Sequence, residues 1–160
     1  MKSRLVASAA ISALVLLGAT GCTFITPQST KINYSPSDGI NLPDSDGPLK
    51  IRNALIVATE DGSAGNLIAA IVNSTDRAEV LTIDVDGSDD SLTIRVGAGD
   101  TVSLGANADP LLIEDLGVKP GATVEVYFQS GDATGASAQL AVLDGKLPYY
   151  KDLVPEEDES

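Results

Sequence analysis

The chain has 160 residues, 43% of them hydrophobic, with 23 acidic residues against 10 basic ones and a formal charge of −13. That charge opposes the phosphate backbone of nucleic acid and the anionic headgroups of a lipid surface, and leaves cations and basic partners open. With no histidine, one cysteine and one methionine, Met1, the chain lacks the commonest general base and metal ligand and has no internal disulfide.

The first element is a leader. Lys2 and Arg4 form a positive n-region, Leu5 to Leu17 an apolar h-region, and Gly18 to Gly21 a run of small residues, the pattern of a secretory signal peptide over residues 1–21. The apolar run is too short for a transmembrane helix, which needs about 20 residues. Cys22 follows Ala19, Thr20 and Gly21, and this run resembles the lipobox of bacterial lipoproteins. The resemblance implies that the Cys22 thiol carries a diacylglycerol and, after cleavage, the new N-terminus; Ala19 stands where leucine is commoner. The plainer alternative is a secreted chain with an incidental cysteine. Each buried CH₂ of an acyl chain contributes about 0.8 kcal/mol, so two or three chains on Cys22 would anchor firmly where one would not. The expected location is therefore the extracytoplasmic face of the cell membrane, with the membrane a partner through Cys22. Without Lys2 and Arg4 the mature chain has a charge of about −15.

Residues 22–48 follow as the lipidated cysteine and a tether. The stretch is rich in Thr, Ser, Asp, Asn and Gly, and Pro36, Pro43 and Pro48 exclude a long helix. Ile32, Tyr34, Ile40 and Leu42 are its apolar residues and have the alternative of docking on the domain.

From Leu49 the texture changes to short β-branched runs, separated by Gly, Asp and Pro at spacings near ten residues. Strands are predicted at Leu49 to Thr59, Asn66 to Asn73, Glu79 to Val85, Ser91 to Val96, Thr101 to Leu104, Leu111 to Leu116, Thr123 to Ser130 and Ser137 to Leu143. Alternation gives most of them one dry face: Leu92, Ile94 and Val96 oppose Thr93 and Arg95, and Val124, Val126 and Phe128 oppose Glu125 and Tyr127. Leu67 to Val72 is apolar throughout and predicts a central strand covered on both faces. Lys119, Pro120 and Gly121 suit a type II turn, and Asp61 with Gly62, Asp86 with Gly87 and Asp144 with Gly145 mark further turns. The expected fold is all-β, an antiparallel Greek-key β-sandwich of the cupredoxin or immunoglobulin type, over residues 49–153. Residues 154–160 are read as an acidic disordered tail.

Several of these runs resemble a known family. A lipobox leader, IRNA at Ile51 to Ala54, an apolar strand ending at Asn73 and GVKPGATVEVYF at Gly117 to Phe128 are similar to actinobacterial envelope lipoproteins of the LpqE-like type. That type is similar in turn to small periplasmic copper chaperones of the PCuAC-like family, with a cupredoxin-like sandwich. The resemblance covers Leu49 to Leu143 and implies the scaffold. The chaperones hold Cu(I) with His and Met, soft or borderline ligands suited to that ion. A His and a Met of their motif fall near Pro110 and Leu112 here, and neither side chain can ligate, so the resemblance implies no copper site.

The remaining candidates are weighed by their chemistry. Asp84, Asp86, Asp89 and Asp90 crowd oxygen ligands around a glycine turn, the best candidate for Ca²⁺, although the loop lacks the EF-hand spacing and Arg95 stands where a bidentate glutamate belongs. The alternative is a solvated hairpin tip, and Asp44 with Asp46 is read the same way. Gly62, Ser63, Ala64 and Gly65 are not a nucleophile elbow, and no histidine activates any serine. A hydrolase would need a convergent pair of carboxylates with tuned pKa values. Gly97, Ala98, Gly99 and Asp100 read as a tight turn, not a phosphate loop, and no cofactor is expected. Tyr127, Tyr149 and Tyr150 read as edge-strand packing with surface hydroxyls, or else as partner anchors. Asn73, Ser74 and Thr75 match the glycosylation triplet by chance. The expectation is a lipid-anchored, non-catalytic binding or accessory module of the envelope, contacting a protein or polymer; the alternatives are a divalent-cation or metal-handling protein and a hydrolase.

Overall fold

The computed structural model describes residues 37–44 and 47–156. The signal peptide predicted over residues 1–21, Cys22, Ile32, Tyr34, Asp46 and the last four residues of the predicted acidic tail lie outside them. Eight strands follow in order: β1 (Leu49–Ala58), β2 (Gly65–Asn73), β3 (Glu79–Val85), β4 (Ser91–Val96), β5 (Thr101–Ser103), β6 (Leu111–Ile113), β7 (Thr123–Ser130) and β8 (Ala136–Leu143). Helix among the described residues amounts to one 3-10 turn at Lys151–Leu153. Each predicted strand is present. β6 ends at Ile113 and not at Leu116, because the chain turns there and Asp115 takes a positive φ of 54°.

The strands run β4-β3-β7-β8-β1-β2-β5, and β6 adds to β2 beyond β5. The pairings are antiparallel with one exception: β8 meets β1 in parallel at Ile56 with Val142 and Val57 with Leu143. The wholly antiparallel sandwich expected from the sequence is corrected in this respect. β8 is antiparallel to β7 on its other edge, so it belongs to both layers and coils the sandwich into a near-barrel.

The periodicity seen in the sequence is what fills the interior. Leu81, Ile83 and Val85 of β3 and Val124, Val126 and Phe128 of β7 are buried and meet Leu67, Ala69 and Ile71 of β2 in one core. The alternate residues Val80, Thr123 and Glu125 face water. β2 is buried on its inner face, and on its outer face at Ile68, while Ala70 and Val72 on that face are half-buried, so the cover predicted on both sides is partial. On the outer face Ile68, with Leu55 and Val57 of β1, packs against Tyr150, Leu153 and Val154 from the C-terminal segment. Tyr150 is thus a core residue and not an edge-strand aromatic, while Tyr149 stays exposed.

Part of the presumed tether is docked. β1 slips register between Arg52 and Leu55, where Asn53 takes φ 50°, a β-bulge that bends the strand. Into this bend the arm fits: Ile40 and Ala54 exchange backbone bonds of 3.0 and 2.8 Å, the Gly39 N–H donates to Asn53 Oδ1, and the Asn53 N–H donates to Asn41 Oδ1, each at 2.9 Å. Gly39 is required by this approach, since a Cβ there would stand 2.5 Å from the Asn53 carbonyl carbon. Leu42 is buried and Arg52 pairs with Asp44, so residues 39–44 cover the half of the β1 edge that β8 leaves open.

Candidate binding cleft and acidic hairpin

The β3–β4 hairpin carries the acidic residues singled out in the sequence. Its turn closes by a 3.0 Å bond from the Ser88 N–H to the Val85 carbonyl, with Gly87 at φ 89°, as the Asp-Gly pair demands. Asp84 accepts the hydroxyl of Ser91 across the hairpin. Asp86, Asp89 and Asp90 are exposed at the tip. Among the described residues no three His, Cys, Asp or Glu side chains converge closely enough to hold a metal ion.

Of Pro110 and Leu112, where the copper-chaperone motif would fall, Leu112 lies near this hairpin. Leu112 sits on β6 and is 45% exposed. A cleft of about 210 Å³ separates the two regions, lined by Ser88, Asp90 and Leu92 on one side and Leu112, Ile113 and Glu114 on the other. It joins an apolar floor to a carboxylate on each rim.

At the opposite end the strands are sewn together. The Asn73 amide, on a residue 1% exposed, donates to the carbonyls of Arg77 (2.8 Å), Val96 (3.1 Å) and Gly97 (2.8 Å), and its Oδ1 accepts the Thr75 N–H and hydroxyl. This ties the end of β2 to the end of β4 although the two strands share no ladder. The glycosylation triplet is occupied by this structural role. Nothing in the sequence marked it beyond a polar residue ending an apolar run.

The other polar clusters are structural in character. Asp61 accepts the Ser63 N–H (3.0 Å), the Ser63 hydroxyl (2.8 Å) and the Thr59 hydroxyl (2.8 Å), and these bonds, the Ser63 backbone first, bring its pKa down to about 2. A carboxylate so stabilised is a weak base and leaves Ser63 unactivated. Glu79 is buried and ion-paired with Arg77 at 2.6 Å, which raises the guanidinium pKa. Lys119, Lys146, Glu60 and Asp144 rim an open cleft of about 400 Å³ over Ala58 and Val154, where Lys146 pairs with Asp144 at 2.9 Å.

The strand order and the parallel β1–β8 contact define the class, an all-β sandwich coiled into a near-barrel, and its fold is like that of solved PCuAC domains. Among solved structures, the apo PCuAC domain of PmoF2 is similar at 18% identity and a TM-score of 0.55, over 64% of this chain and 95% of that domain. The apo PCuAC domain from PmoF1 is similar at 15% identity and a TM-score of 0.52, over 64% of this chain and 97% of that one. At these identities the likeness is one of fold. No protein-family model matches the sequence, and no curated protein matches it.

Proposed function

We propose that the chain is an envelope lipoprotein of the LpqE-like type, held by lipid on Cys22 at the extracytoplasmic face of the cell membrane and working as a non-catalytic binding module. One observation carries this reading: a PCuAC-like fold is built from a chain with no histidine, one methionine at position 1 and one cysteine, Cys22, directly after the leader-like run of residues 1–21. Such a domain keeps the shape of its neighbours and lacks soft side-chain ligands, so its chemistry resides in the surfaces it presents. The hydroxyl of Ser63, locked to a strongly acidic Asp61, supports the non-catalytic reading. Metabolic labelling with palmitate tests the anchor: the wild-type chain takes the label and Cys22→Ser does not. Equal labelling of both would remove the anchor from the account.

A second reading, divalent-cation handling with oxygen ligands, draws support from the PCuAC-type fold and from Asp84, Asp86, Asp89 and Asp90 on one hairpin. Its test is calorimetry with Ca²⁺ and Zn²⁺, with binding weaker than about 1 mM ending the reading.

A further inference from the structure

The sandwich is closed at one end and open at the other. β5 lies against β2 at Ala70 to Val72, near the seam that Asn73 sews to Val96 and Gly97. β6 lies against β2 at Gly65 to Leu67, toward the opposite end. Among the described strands β4 pairs with β3 alone and β6 with β2 alone, so each keeps one edge of backbone N–H and C=O groups without a ladder partner. The cleft of about 210 Å³ is lined by residues at the start of β4 and on β6, the two strands with such an edge.

Three properties of the cleft select its occupant. Its size is below the roughly 300–1,000 Å³ of sites that enclose small molecules, and suits an inserted side chain. Its floor is apolar, with Leu112 exposed, Leu92 half-buried and Ile113 buried. Its rims carry Asp90 and Glu114, and neither is in an ion pair among the described residues, where the only carboxylates so engaged are Asp44, Glu79 and Asp144. Free strand edges take an extended peptide by main-chain hydrogen bonds, and alternate side chains set the specificity. We propose that this cleft binds an extended basic peptide segment as an added strand, with an apolar side chain against Leu112 and Lys or Arg side chains toward Asp90 and Glu114. The proposal rests on the binding-module reading and names its partner class.

The probe is a fluorescent ten-residue peptide of alternating lysine and valine with a central leucine, titrated against the purified full chain and read by anisotropy. Saturable binding is expected. It should weaken at least tenfold when the lysines become glutamates, when proline at every second position removes the N–H donors, and in the double variant Asp90→Asn/Glu114→Gln. The control Asp76→Asn/Asp132→Asn, near the sewn end, removes the same charge and should bind within twofold of wild type. Amide exchange should show β4 protected on peptide addition. The varied residues are exposed, and circular dichroism verifies their fold. No saturable binding, equal loss in both double variants, or protection of β4 by self-association without peptide would each overturn the proposal. Such a failure removes this cleft alone, since the palmitate label tests the anchored-module reading independently.

Discussion

The phenol of Tyr150 donates a 2.8 Å hydrogen bond to the carboxylate of Asp38, 112 positions earlier in the chain. It ties the docked arm to the C-terminal segment that seals the outer face of β1 and β2. Burial, and then the bond and charge of Asp38, push the phenol's pKa above its ordinary value. Tyr150→Phe should cost about 1 kcal/mol, the net worth of one hydrogen bond, and Tyr150→Ala about 3 kcal/mol or more, as the ring leaves the cluster. Urea unfolding of both variants checks this. A raised phenol pKa means that the fold favours the neutral form, so the hydroxyl's contribution is present below the unfolded value of about 10 and is lost as pH rises through the folded one. The difference between wild type and Tyr150→Phe should therefore be flat from neutral pH to about 10 and shrink above it.

Asn73 makes a sharper case because its amide faces three carbonyls. Asn73→Ala leaves the carbonyls of Val96, Gly97 and Arg77 without their donor and should destabilise by about 2 kcal/mol or more. Asn73→Asp places a carboxylate against the same oxygens and should be worse than alanine at neutral pH. Its penalty should fall in acid, where the protonated group donates again. Denaturant melts at two pH values decide the matter, and an aspartate as stable as wild type at pH 7 would contradict the seam.

Asp61 supplies an acid-side prediction. Its folded pKa of about 2 lies under the ordinary carboxylate value, so its bonds to Thr59 and Ser63 stabilise the fold above about pH 4 and lose that effect as pH falls through about 2. The gap in melting temperature between wild type and Asp61→Ala should be open at pH 6 and narrow steadily between pH 4 and pH 2. A gap that persists unchanged at pH 2 would mean that the hydroxyl bonds do not depend on the charge.

The strands were legible because their cause is local. Val124, Val126 and Phe128 alternate with polar partners, and Pro120 with Gly121 (φ 94°) marks the turn before them, closed by a 3.3 Å bond from the Ala122 N–H to the Lys119 carbonyl. The parallel contact of Val142 with Ile56 was not legible, since it depends on how two distant strands meet after the sheet coils. Tyr150 carried no sign of its burial, because what it covers, Ile68, lies on a strand whose outer neighbour the sequence does not name. The site was half legible. Asp90 on its hairpin and Leu112 near the copper-motif position were each noted, but only the topology brings them to one cleft.

We have proposed that this PCuAC-like sandwich works through its surface and holds no soft metal. Titration of Cu(I) into the purified Cys22→Ser chain, in competition with a chromophoric Cu(I) chelator under reducing conditions, tests it most directly. The chelator should keep the copper, with no site on the chain tighter than about 1 µM. Withdrawal of one equivalent of Cu(I) from the chelator by the folded chain would contradict it.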